Sequence, residues 1–277
     1  MTPPGSVAAG SGGPSGGGGP TRRELQRVAT HVLARARAAH GGRFGLRALP
    51  SGIGTPPFGP DETVLRLAGT TLVRERQGAD GRTVGILALS GRSLADAAGW
   101  AGVDLAAPFS PGHDAPGVGE AGAPLDLDPE AAGDLLAWFT TGARALDALL
   151  PGLSDPTAAQ LWPEHFDLAL AASTRSGGVT FGASPGDDGV PAPYVYVAPW
   201  EDGRPGDPGF WNAPFGAVAT RAELAGADPA DAATAFFRRG LELLGPTRSA
   251  GRSGHPDGWD RVTPATDATS AEADGTR

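Results

Sequence analysis

Three stretches of this chain carry both a helical period of apolar residues and matching start and stop signals. Everything between them is cut by glycine and proline into short pieces. Thr21 followed by Glu24 predicts a capping box, after which Leu25, Val28, Ala29, Val32 and Ala36 recur at helical spacing as far as Gly41-Gly42. Asp128-Pro129 and Asp228-Pro229 each set an N-cap before a proline at the first helical position. The first leads Leu135, Phe139, Leu146 and Leu150 to a stop at Pro151-Gly152. The second leads Phe236, Phe237, Gly240, Leu241 and Leu244 to Gly245-Pro246.

The pieces between these helices read as strands. Residues 44–48, 63–67, 70–76 and 82–89 are short and rich in Val, Ile, Leu and Thr, with a turn at Gly78-Ala-Asp-Gly81 closing the last two. Residues 51–62 (SGIGTPPFGPDE) read as a loop, and Ser93 with Asp96 caps a short helix ending near Trp100. Ala106–Pro124 reads as a long surface loop, and Leu161–Phe215 supplies two or three further strands. The order helix, strands, helix, strands, helix predicts an α+β domain over 21–246, a largely antiparallel sheet packed by three main helices. Phe44-Gly-Leu46 ahead of GTPPFGPDE is echoed by Phe166-Asp-Leu168 ahead of TFGASPGDD, a trace that either duplication or shared turn chemistry would leave.

Outside that domain, residues 1–20 and 247–277 are small and polar and read as disordered tails. A formal charge of −9 opposes the phosphate-neutralising surface that nucleic acid requires, and anionic membranes are equally poor partners. Zero cysteines exclude disulfides, thiolate zinc sites and a cysteine nucleophile. The opening MTPPGSVAAG lacks the basic start and apolar core of a signal peptide, so a soluble cytoplasmic protein is expected. Every basic residue is Arg; Arg22, Arg23, Arg27, Arg35 and Arg37 read as the solvated face of the first helix.

Candidate site residues concentrate in 161–215, which holds Trp162, Trp200, Trp211, both tyrosines and the lone asparagine, Asn212. If residues 162–171 are extended, alternation puts Glu164, Phe166, Leu168 and Leu170 on a core face and His165 and Asp167 on the other. Tyr194 and Tyr196 alternate in the same way with Val195 and Val197. Pairing of these strands would gather His165, Asp167, Tyr194 and Tyr196 on one surface, with His165 and Asp167 as candidate catalytic residues. Trp162, Trp200, Trp211 and Asn212 complete the candidate ligand-binding set. The same alternation also fits a half-exposed sheet whose polar groups satisfy one another.

Gly182-Ala-Ser184-Pro-Gly186 fits the G-x-S-x-G pattern of a nucleophile elbow, but Pro185 has no N–H to offer an oxyanion, and an extended segment follows instead of a helix. Asp187 and Asp188 could share a cation, yet adjacent aspartates before glycine are more often turn formers, so no metal and no cofactor are expected.

The motifs LWPEHFDLA, FGASPGD, PYVYV-PW and FWNAPFG, with the earlier GTPPFG, resemble a family of uncharacterised proteins from high-GC Gram-positive bacteria, over about Arg43 to Leu244. That resemblance implies no reaction, ligand or catalytic residue. The expected function is therefore a non-catalytic domain binding a small molecule or a protein partner at 161–215. Two alternatives stand beside it: a hydrolase-like or isomerase-like enzyme using His165 and Asp167, and a protein-interaction module using Ala106–Pro124 and the tails.

Overall fold

The computed structural model describes residues 19–246 apart from Ser51, Asp80, His113 and residues 225–227. The two expected tails lie outside the described residues except for Gly19 and Pro20, which open the first helix. That helix is one rod made of α1 (Gly19–Val28), a π-helical turn (Ala29–Ala34) and α2 (Arg35–Ala38). The Arg35 N–H reaches the Thr30 carbonyl, five residues back. Because the rod starts ahead of Thr21, the expected capping box does not form. The buried Thr21 hydroxyl instead accepts from the Asp128 N–H at 2.9 Å, and Glu24 pairs with Arg27 at 2.7 Å.

The fold is α+β, with two antiparallel five-stranded sheets instead of one. The first is a meander of β1 (Arg47–Leu49), β2 (Gly52–Gly54), β3 (Val64–Ala68), β4 (Thr71–Gly78) and β5 (Gly81–Ala88). The second repeats the order with β6 (Gln160–Trp162), β7 (Asp167–Thr174), β8 (Gly177–Ser184), β9 (Tyr194–Pro199) and β10 (Ala217–Thr220). Leu46, just before β1, and Leu161 exchange both backbone hydrogen bonds at 2.8 Å, so the two meanders meet edge to edge.

Strand β2 falls where the Gly/Pro content reads as a loop. Its glycines serve close approach: a Cβ on Gly52, at φ 145°, would lie inside contact distance of the Leu67 carbonyl of β3. Between the sheets run α3 (Leu94–Ala101), with the Ser93/Asp96 capping box in place, and α4 (Pro129–Leu149), capped by Asp128. The last helix is α5 (Pro229–Leu244), capped by Asp228.

Helix, five-strand meander and closing helix thus occur twice, as the first rod, β1–β5 and α3, and again as α4, β6–β10 and α5. The sequence echo does not follow this repeat. Phe44–Leu46 leads into the first strand of its meander, whereas Phe166–Leu168 opens the second strand of the other.

One core runs beneath both sheets. Leu65, Leu67 and Leu72 from the first sheet, and Leu168, Leu170, Phe181, Val195 and Val197 from the second, pack with Val28, Val32, Phe139, Leu146 and Phe237 of the helices. The arginine face of the rod is solvated only in part: Arg23 is exposed, but others are engaged. Arg27 donates to the Val118 carbonyl, His31 Nε2 to that of Pro116 at 2.7 Å, and Arg35 to those of Asp104, Leu105 and Ala107 at 2.8–3.0 Å. Arg37 donates to Gly45. These groups fasten the 104–118 segment along the helix, because the carbonyls of a chain without secondary structure need donors once it packs.

Helix α4 meets β8 where Gly142 faces Ala183, and a Cβ on Gly142 would lie 2.5 Å from the Ala183 Cβ. We predict that Gly142→Ala lowers stability by about 1–3 kcal/mol, because overpacking outweighs the roughly 1 kcal/mol gain in helix propensity. Urea unfolding checks this; a stabilised variant would show that the contact yields.

Candidate functional site

The site is built on the solvent face of the second sheet. Register places Leu168, Leu170, Phe181, Val195 and Val197 on the core face, and alternation leaves Asp167, Thr180, Gly182, Tyr194, Tyr196 and Ala198 on the other. Residues 162–171 are not one extended strand: β6 stops at Trp162 and a tight turn runs through Pro163–Phe166. Phe166 sits at φ 55°, a costly left-handed conformation for a bulky residue, and its N–H bonds the Trp162 carbonyl at 2.7 Å. What holds it there is its ring, fully buried edge-on to Phe139 at 5.2 Å. The rod grips the same turn, with Gln26 Nε2 donating to the Glu164 carbonyl at 2.8 Å and the Thr30 hydroxyl to that of Pro163 at 3.1 Å.

This turn changes the expected arrangement in one respect. Glu164, assigned by simple alternation to the core with Phe166, lines a cleft of about 820 Å³ together with His165, Asp167, Tyr194 and Tyr196. The four residues that alternation groups are thus on one cleft. Reasoning from the sequence missed Glu164, Arg22, Gln26, Asp114, Thr180, Ser184 and Phe215, which also line it. The alternation of Thr180, Gly182 and Ser184 within GVTFGAS was a signal that could have found two of them.

The remaining candidates are elsewhere. Trp162 packs edge-on to Phe44 at 6.3 Å. Trp211 donates from Nε1 to the Pro205 carbonyl at 2.9 Å and meets Phe210 edge to face within the core margin. Both ends of the Asn212 amide bond the backbone of Val218, at 2.8 and 2.9 Å, which fixes the loop into β10. Trp200 lies across Gly178 and donates to Thr180 at 3.0 Å, so it touches the cleft through that threonine.

Tyr196 of β9 lies over Gly182 of β8 and donates to Asp167 Oδ2 of β7, a reach across two strands that glycine permits because it has no Cβ. Tyr194 donates to Asp187 Oδ2. Asp187 Oδ1 accepts from the N–H groups of Gly189 and Val190 at 2.7 and 2.8 Å, the turn-forming role expected of it. Among the described residues no group of three His, Asp or Glu is placed to hold a metal ion. No helix follows Ser184, whose Oγ accepts from the Gly186 N–H at 3.2 Å.

Burial raises the pKa of Asp167, against the Tyr196 hydrogen bond and the His165 charge, which lower it. Burial also raises that of Glu164. Both phenols are pushed up, first by burial and then by the carboxylates they bond, so each remains a donor. Glu164 Oε2 and Asp167 Oδ1 are buried with no hydrogen-bond partner.

Comparison with protein-family models, curated proteins and solved structures finds no match to this chain.

Two predictions test this geometry. A Cβ on Gly182 would overlap the Tyr196 ring, so Gly182→Ala should cost about 1–3 kcal/mol by parting Tyr196 from Asp167. Combined with Tyr196→Phe it should cost less than the sum of the two; additive urea midpoints would show that the ring was not displaced.

The second prediction concerns pH. A carboxyl with a raised folded pKa binds its proton more tightly folded than unfolded. Its stabilising contribution is therefore complete below the ordinary carboxyl value of about 4 and is lost as pH rises through the raised value. Glu164→Gln and Asp167→Asn should each flatten the fall of the thermal midpoint across that window. Variants with the wild-type slope would refute the assignment.

Proposed function

We propose that this protein binds a small molecule in the cleft formed by the Glu164–Asp167 turn and the outer face of β7–β9. The observation that carries this reading is that two residues lining one cleft, Glu164 and Asp167, each hold a buried carboxyl oxygen, Oε2 and Oδ1, with no hydrogen-bond partner. Buried polar atoms in folded proteins are nearly all bonded, and two orphans on residues of one cleft are what a ligand's donors would satisfy once the side chains turn to it. The volume of about 820 Å³ lies within the range of about 300–1,000 Å³ usual for small-molecule sites. The rigid support of the walls favours binding as well, since the rod holds the turn and Tyr196 is locked to Asp167 across Gly182.

Hydrolase-like or isomerase-like chemistry on His165 and Asp167 has less support. His165 Nδ1 faces Asp114 at 3.7 Å, and both phenols hold their protons tightly. An interaction module built on 106–124 has less support too, because carbonyls of that segment are held by Arg27, His31 and Arg35.

The test is a thermal-shift screen of neutral, cationic and anionic metabolites against wild type, Asp167→Asn and Tyr196→Phe. A ligand present at one hundred times its Kd adds about 2.7 kcal/mol, or about 5–11 °C for a domain of this size. The shift should shrink in both variants. Compounds that stabilise all three proteins equally would place binding elsewhere and refute the proposal.

A further inference from the structure

We infer that the ligand of this cleft is a small organic cation, whose ammonium or guanidinium group sits between Glu164 and Asp167. This rests on the binding reading above and adds the class of ligand. Five carboxylates line the cleft against two basic side chains, and on two of the acids the described contacts leave a buried carboxyl oxygen unpartnered. Arg22 faces Asp188 at 3.7 Å, and His165 faces Asp114 at the same distance. Asp187 is occupied by two backbone N–H groups and Tyr194.

Glu164 and Asp167 remain. Each presents one carboxyl oxygen that is buried and unpartnered, and Glu164 is only 7% exposed. A neutral hydroxyl could fill one acceptor but would add no positive charge beside two desolvated acids, and an anion would be repelled. An ammonium brings three donors and a guanidinium five, together with a positive charge.

A bare metal ion fits less well. Among the described residues no third ligand joins these two in a metal-binding group, and the cavity of about 820 Å³ has room for an organic body. Tyr196 and Phe215 provide a surface for that body. Their rings meet edge to face at 6.1 Å and 88°, and Phe215 is 43% exposed. Aromatic faces attract both alkyl chains and cations.

The test is isothermal titration at neutral pH with a matched four-carbon series, namely putrescine, agmatine, 1,4-butanediol and succinate, with magnesium chloride as the metal probe. Wild type should bind putrescine or agmatine at least about tenfold more tightly than the diol. Glu164→Gln and Asp167→Asn should each weaken the amine about tenfold or more while the urea midpoint shows the variant folded.

Amine binding that survives both substitutions overturns the inference. So does a diol or dicarboxylate that binds as tightly as the amines, or magnesium binding that the same variants abolish. If the diol binds and Tyr196→Phe removes it, the small-molecule reading stands and only the cationic class falls. If no probe binds wild type, the cation inference is rejected, and the thermal-shift screen, which extends beyond these probes, decides the cleft reading by itself.

Discussion

The two meanders meet at the backbone pair Leu46–Leu161, and the shape of the molecule depends on that seam being held shut. Two peptide hydrogen bonds contribute only about 1 kcal/mol each in net terms, far too little to join two sheets. The seam holds because α4 lies beneath it, packing on β1 and β2 on one side and on β7 and β8 on the other. Burial of Leu135, Phe139 and Leu146 is therefore shared by both halves. The cleft belongs to the second half, yet the turn that forms its wall is gripped by Gln26 and Thr30 from the first, so the site exists only in the joined molecule.

The first helix has a second structural duty. Its Arg27, His31 and Arg35 satisfy carbonyls of a segment that has no secondary structure, which anchors that segment while keeping the guanidinium charges hydrogen-bonded. Burial lowers the pKa of His31, and its Nε2 must carry a proton to bond the Pro116 carbonyl, so it sits there as a neutral donor.

Much of this was legible in the chain, and the failures share a cause. Helices α3, α4 and α5 begin at Ser93, Asp128 and Asp228 because capping is local chemistry between residues two or three apart. The grouping of Asp167 with Tyr194 and Tyr196 came from strand alternation, which the backbone imposes. Glu164 was missed because Phe166 adopts a left-handed conformation sustained by long-range contacts, its ring on Phe139 and the hydrogen bonds of Gln26 and Thr30 to the same turn. The Thr21 box failed because the helix begins at Gly19, ahead of it, and the N–H of Asp128, distant in sequence, takes up that hydroxyl. Arg27 and Arg35 were misread for the same reason: their carbonyl partners lie far along the chain. Strand β2 hid behind glycines whose purpose, close approach to a neighbouring strand, appears only in three dimensions.

Joining two meanders at a seam also changes how the protein meets its own copies. Separate sheets would expose four outer strands; joined ones leave β5 and β10. Strand β10 is short, but β5 is eight residues long, with Ile86 69% and Val84 54% exposed along it. Arg82, bound to Glu75 of β4, puts a charge near the tip of that strand, the usual guard against sheet-to-sheet growth. Among the described residues the seam thus leaves one long open edge with exposed apolar side chains, on the sheet that does not carry the cleft.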